Sequence, residues 1–290
     1  MEAVATPLGG LSLLHQNGTV RPIVTSGAQM IDAQIVSRLA TQLHEARAAA
    51  QEQPPLTRDT AGLDAADGYR ILHAGIALRV AAGERIIGWK MGLTSKAKRE
   101  QIKIDSPIYG VLTSGMRVAD GGTYEASKGI HPRIEPEIAF VMGKPLSGVV
   151  TREEALAAVA EVHTAMEILD SRFVGFKDFS LPDVVADNGS ASYFVVSNDW
   201  RSPAGIALDR IQMRMSVDGA VVQAAESSVI SGHPLESLVQ LCALIAPLGQ
   251  GLKAGDLVLA GAATAAVPLA AGHEVRLDAD GLPSVRVRST

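Results

Sequence analysis

Residues 134 to 140 read Ile134-Glu135-Pro136-Glu137-Ile138-Ala139-Phe140, and no other stretch limits the fold so strongly. A β-strand repeats its faces every two residues. Glu135 and Glu137 therefore leave one face, and Ile134, Ile138 and Phe140 leave the other. Two neighbouring carboxylates on a semi-buried surface repel each other and resist desolvation. A divalent cation is the simplest compensation, and oxygen-only ligands favour a hard ion, Mg²⁺ or Mn²⁺. A later segment, Ala165-Met166-Glu167-Ile168-Leu169, places one acid inside an apolar run, so Glu167 is the natural third ligand. An ordinary amphipathic strand with solvated glutamates shows the same alternation, and spacing alone leaves both readings open.

Composition narrows the class. The 290 residues are 47% hydrophobic, so one or two sizeable cores can form, and the net charge of −5 comes without a basic stripe. Nucleic acid is not an expected partner. The single cysteine, Cys242, allows no intrachain disulfide or thiolate metal site and reads as a buried structural thiol. A reducing cytoplasm fits. No window of eighteen uncharged apolar residues free of turn formers is evident, so no membrane span is expected. The N-terminus lacks the basic region of a signal peptide.

Along the chain, residues 1–29 lack periodicity and are punctuated by Gly9-Gly10, Asn17-Gly18 and Ser26-Gly27; they read as a poorly ordered extension. The part from 30 to 105 is mainly helical, with expected helices over Met30–Gln51, Leu63–Ala82 and Ser95–Lys103. A linker follows the first at Pro54–Thr57, and a buried strand runs from Arg85 to Gly92. The part from 106 to 290 is β-rich. Its helices are expected over Thr151–Val162, capped by Thr151, and over Pro234–Ile245. Strands are expected over Tyr193–Val196, Ile211–Val217, Leu257–Ala260 and Glu274–Leu277, with turns at Asp218-Gly219 and Asp280-Gly281. Without repeats or strict βαβ alternation, the class is α+β.

Further residues carry chemistry. Lys90 lies between Trp89 and Met91 on the buried strand. Desolvation there lowers an ammonium pKa and suits proton transfer, whereas a snorkelling lysine gives the same local sequence. The apolar run Leu181–Ala186 enters the small polar segment Asp187-Asn188-Gly189-Ser190-Ala191-Ser192, which reads either as a ligand loop or as a plain turn. The small residues of Gly261–Ala266 allow backbone to approach a ligand, or simply tight packing. His163 and His233 read as structural.

Four segments in order resemble the hydratase/decarboxylase branch of the fumarylacetoacetase superfamily. They are Gly88-Trp89-Lys90-Met91-Gly92-Leu93-Thr94-Ser95, His131–Phe140, Ala165–Phe173 and Val184-Val185-Ala186-Asp187-Asn188. The resemblance covers about Met30 to the C-terminus, with Gly189 standing where Ser or Ala is more usual. It implies a mixed-sheet roll, a metal on Glu135, Glu137 and Glu167, and a catalytic Lys90. It also implies substrate contacts from Ser190 and Thr264. Hydratases of this branch carry an acid in the segment matching Pro107-Ile108-Tyr109-Gly110; here Ile108 takes that place, an apolar wall suited to expelling a carboxylate. The expected activity is decarboxylation of a 2-oxo-3-enedioate, with the metal-held ketone as electron sink and no organic cofactor. Hydration of 2-hydroxypenta-2,4-dienoate is the alternative. Acylpyruvate hydrolysis lacks a positioned His-Glu base, and a non-catalytic binding module is the alternative of another class. The resemblance further implies a homo-oligomer and a complex with the hydratase that consumes the unstable dienol.

Overall fold

The computed structural model describes residues 31–95, 99 and 106–290. The 1–29 extension and nearly all of the helix expected over Ser95–Lys103 lie outside the described residues. The chain opens with α1 (Ala33–Ala48), whose N-terminus is capped by the Asp32 carboxylate accepting from the Gln34 N–H at 2.6 Å. A short α2 (Leu56–Asp59) follows. The segment expected as a linker is thus partly helical and anchored, because Leu56 is buried against α1 and Phe173. The second long helix, α3 (Ala65–Ala81), is capped by Asp64, which accepts from the Asp67 N–H. Val36, Leu39 and Leu43 of α1 pack with Ile71 of α3 in a core of their own.

The strands are β1 (Ile86–Gly92), β2 (Ile108–Thr113), β3 (Arg117–Val118), β4 (Thr123–Tyr124), β5 (Arg133–Met142), β6 (Val159–Leu169), β7 (Ala191–Val196), β8 (Gln212–Val217), β9 (Ala220–Glu226), β10 (Leu257–Ala262), β11 (Val267–Pro268), β12 (Glu274–Ala279) and β13 (Val285–Ser289). Three more helices, α4 (Arg152–Ala158), α5 (Leu181–Ala186) and α6 (Pro234–Ile245), interrupt them. One sheet runs β2-β1-β10-β5-β6-β7-β3, with β11 also paired to β5; the other runs β4-β13-β12-β8-β9. β1 and β10 are parallel while β10, β5, β6 and β7 alternate antiparallel. Gly88 permits the β1–β10 approach, since a Cβ there would lie 1.8 Å from the Leu257 carbonyl oxygen. The architecture is the expected α+β mixed-sheet roll.

The alternation along β5 sorts two cores. Ile134, Ile138 and Phe140, with Met166 and Ile168 of β6, join Leu238, Leu241 and Ile245 of α6 in the larger one. Ala139 and Ala165 face the other way, with Leu259 and Phe194. One expectation needs correction. The helix over Thr151–Val162 stops at Ala158, because Val159 and Val162 pair with Met142 and Phe140 of β5; β-branched residues favour that pleated surface. The run Ser227–Leu248 is long and apolar enough to cross a membrane by length and composition, with mean hydropathy 1.4. It centres on α6, whose Leu238, Leu241, Cys242 and Ile245 are fully buried in the protein core. The thiol of Cys242 is in no disulfide, donates to the Leu146 carbonyl at 3.7 Å, and is pushed by burial up to about 12.

Candidate metal and catalytic centre

Register brings the three acids together. Glu135 of β5 pairs directly with Glu167 of β6, and Glu137 lies two residues along, opposite Ala165. One carboxylate oxygen from each lies within 4.8 Å of the others. Glu137 is 0% and Glu167 1% exposed, so this is no solvated strand face. A break in the β10–β5 register between Leu259 and Ala262 turns the Gly261 N–H toward Glu137, donating to its Oε2 at 2.7 Å. Gly261 has φ of +109°, and a Cβ there would lie 2.5 Å from Thr94 Cγ2. Only glycine suits that position.

Lys90 reaches the same space. It is 2% exposed, with Nζ 3.0 Å from Glu167 Oε1, and it donates to the Gly189 carbonyl at 3.1 Å. The snorkelling reading fails. The expected downward pKa shift also needs correction. Burial does pull the ammonium down, but Glu167, Glu135 and Glu137 outweigh it and hold Lys90 above the ordinary lysine value. Burial, then Glu167 and Glu135, push Glu137 well above the carboxylate range. Burial raises Glu167 too, against the pull of Lys90. One ammonium cannot neutralise three carboxylates, so the surplus acid is driven toward its neutral form.

The donor set fits a hard divalent cation. Three ionised carboxylates beside one ammonium leave an excess of two negative charges. Glu137 Oε1 and Glu167 Oε2 are buried with no hydrogen-bond partner, a costly state that a cation relieves. Every donor atom is oxygen.

Around this cluster the 187–190 turn forms a wall. Asn188, Gly189 and Ser190 have φ of 55°, 62° and 60°. The turn is pinned by Asn188, whose side chain accepts from the Val111 N–H at 2.8 Å and donates to its carbonyl at 2.9 Å. Behind it, Asp187 pairs with Arg172, both buried. Ile108 is buried at the start of β2. A Cβ at Gly189 would lie 3.3 Å from Lys90 Nζ and 3.6 Å from Ile108 Cδ1, so lysine, Ile108 and the turn meet. Ser190 is 5% exposed on that turn. Thr264 follows β10, half-buried, its hydroxyl donating to the Ala265 carbonyl at 3.2 Å. His163 is held by the Ser197 carbonyl and Glu161, and His233 caps α6, as expected of structural histidines. Residue-by-residue reading missed the Asn188 clamp, the Asp187–Arg172 pair and the Gly261 N–H. Turn composition at 187–190 was the available signal for the first.

Residues 90–289 match the family model described as the C-terminal part of fumarylacetoacetate (FAA) hydrolase. The chain belongs to the FAA hydrolase family. Within the family it is 46% identical over 257 residues to a 4-oxalocrotonate decarboxylase from a Pseudomonas species, covering 88% of this chain and 98% of that one. It is 35% identical over 264 residues to the 2-hydroxyhexa-2,4-dienoate hydratase of Comamonas testosteroni, covering 90% and 100% of the two chains. Among solved FAA hydrolase family structures, the fold superimposes on 4-oxalocrotonate decarboxylase from Pseudomonas putida G7, complexed with magnesium and adipate. That match has a TM-score of 0.88 and 35% identity, covering 90% of this chain and all of the other.

Proposed function

We propose that this chain is a divalent-metal-dependent carboxy-lyase acting on 2-oxo-3-hexenedioate (4-oxalocrotonate) in the cytoplasm. The observation that carries the reading is a triad of carboxylates facing one buried lysine, with Glu135 half-buried and Glu137 and Glu167 buried with unpartnered oxygens. The decarboxylase named above, similar over almost its whole length, supports the choice of reaction. Glu135, Glu137 and Glu167 would hold the cation, Mg²⁺ or Mn²⁺. When bound, such an ion supplies Lewis acidity toward the carboxylate and ketone of a 2-oxo acid.

The chain's own residues do the rest. In the substrate the C5–C6 bond breaks and CO₂ leaves. Its electron pair becomes the C4=C5 double bond, the C3=C4 pair moves to C2=C3, and the keto oxygen gains the charge. Lys90, kept protonated by its three acidic neighbours, would donate to that oxygen as charge develops. Glu167 and the Gly189 carbonyl fix where the amine points. Ile108 offers the departing carboxylate an apolar wall without hydrogen bonds, which favours its loss as neutral CO₂. Ser190 and Thr264 complete the substrate contacts in this reading.

The hydratase relative at 35% identity favours a second reading, water addition to 2-hydroxypenta-2,4-dienoate at the same centre. Incubating the purified protein with each compound and Mg²⁺ decides between them. CO₂ release from the enedioate is the expected result; hydration without CO₂ release overturns the first reading. We also expect a homo-oligomer. Strand β9 ends the second sheet and exposes Val221 at 61% and Val222 at 42%, an edge that a second copy can cover. Light scattering that shows only monomer at micromolar concentration contradicts this.

A further inference from the structure

Helices α1 and α3 and the 186–191 segment line a small cavity of about 50 Å³ that opens to solvent. Its wall contains none of the residues assigned above to the metal or the substrate. Leu43, Ile71, Leu72 and Ile76 make part of the wall apolar, and Arg47, Arg79 and Arg172 also line it. Two of these arginines have partners. Arg79 pairs with Glu84 at 2.8 Å. Arg172 gives its Nε and Nη2 to Asp187, but it is 3% exposed and its Nη1 is buried with no hydrogen-bond partner. Arg47 has no carboxylate partner among the described residues. Burial, then Arg79 and Arg172, pull its guanidinium below the ordinary value. Three guanidiniums against two carboxylates leave one positive charge without an anion, in a pocket whose wall also carries His44, Asp187 and Asn188 beside its apolar side chains.

We infer that this cavity is a second small-molecule site, which binds a short aliphatic monocarboxylate. A carboxylate supplies the missing charge and accepts from Arg47 in the planar geometry that guanidinium groups favour, with the charges of Arg79 and Arg172 beside it. An alkyl chain of a few carbons fits against Leu43, Ile71 and Ile76. The turn that closes the cavity also carries the Gly189 carbonyl bonded to Lys90, so an occupant rests on the segment that positions the catalytic amine.

The test is calorimetric titration of the full chain with sodium butyrate, in EDTA and at constant ionic strength, with inorganic phosphate run in parallel. EDTA removes divalent cations, so the outcome does not depend on the decarboxylase reading. Saturable one-site binding of butyrate is expected, with phosphate weaker. Arg47→Gln should weaken butyrate about tenfold or more, the loss of one charge-assisted contact. Gly75→Leu keeps every charge. It should abolish binding sterically, because Gly75 lines the cavity and a Cβ there meets nothing within 4 Å. Circular dichroism establishes that each variant is folded, and the Leu variant carries the test if the Gln variant is not. Absence of saturable heat with the wild type, unchanged affinity in a folded variant, or phosphate binding as tightly as butyrate overturns the inference.

Discussion

Replacing Lys90 by Met keeps the length of the side chain and removes only the amine, which makes two magnitudes accessible. The first is stability without metal. Nζ lies 3.0 Å from Glu167 Oε1, and at an effective dielectric constant of about 20 such a pair attracts by about 5.5 kcal/mol before desolvation is counted. Removing one partner of a buried pair costs about 3–5 kcal/mol. The low end applies here, because Glu137 and Glu167 already lean toward their neutral forms and take up protons as the amine leaves. At about 2–4 °C per kcal/mol for a large domain, Tm in EDTA should fall by about 6–12 °C. Mg²⁺ should recover most of that loss, since a divalent cation replaces the missing charge among the carboxylates. The second magnitude is rate. A group that transfers a proton to the reacting oxygen contributes about 10²–10⁴, or about 2.7–5.5 kcal/mol of barrier. Single-turnover CO₂ release at saturating Mg²⁺ measures it, and titration of Mg²⁺ should show affinity no weaker than in the wild type. A rate constant within threefold of wild type, with Tm in EDTA unchanged, would refute both the ion-pair and the proton-transfer reasoning.

Three further outcomes follow from the same geometry. Glu135→Gln, Glu137→Gln and Glu167→Gln should each remove activity and Mg²⁺ binding while leaving the circular dichroism spectrum in place; full turnover in EDTA excludes a metal at this site. In the metal-free protein, groups raised above their unfolded values stabilise the fold at low pH and lose that contribution as pH rises. For Asp187, raised by burial from 3.8 to about 6, the loss falls between those values, and for Glu137 and Glu167 it starts near 4.5 and extends upward. Thermal melts in EDTA should show higher Tm at pH 5 than at pH 8, with Mg²⁺ flattening the difference; a rise in metal-free Tm toward pH 8 contradicts the assignment. Gly261→Ala should cost about 1–3 kcal/mol through backbone strain and its collision with Thr94, read by denaturant unfolding, and should weaken Mg²⁺ binding as the Gly261 N–H shifts from the Glu137 carboxylate.

Periodicity made much of this legible. The two-residue repeat placed Glu135 and Glu137 on one face of β5 and Ile134, Ile138 and Phe140 on the other. α6 follows its apolar pattern from Pro234 to Ile245 because helical spacing, a proline at its first position and His233 at its cap agree. Local pattern failed where a partner decides. Ala155 to Val162 reads as continuous helix until β5 claims Val159 and Val162. The state of Lys90 was misjudged because its own strand supplies only Trp89 and Met91, while the acids that fix its charge arrive on β5 and β6. Asn188 reads as a turn residue, and its clamp on Val111 lies 77 positions away, a distance no local signal spans. Arg172 and Asp187 sit in motifs carrying the family resemblance, but nothing in their spacing reveals that they pair.

The position of β10 has a consequence for how the molecule is made. It enters the large sheet between β1 and β5, although it is encoded in the last part of the chain. A ribosome therefore releases both flanking strands long before the strand that joins them. Until residues 257–262 emerge, β1 with Lys90 has no partner on that side, and Glu137 lacks the Gly261 N–H. Closing contacts this distant is slow and leaves strand edges open meanwhile. A nascent or C-terminally truncated chain can build the β5–β6 hairpin with its three acids, but it lacks the Gly261 amide, and its Lys90 sits on a β1–β2 hairpin that no strand joins to β5. Assembly of the centre is thus a late, all-or-none event, and a chain cut before residue 257 should be recovered as aggregate or degraded fragment rather than as a weakened enzyme.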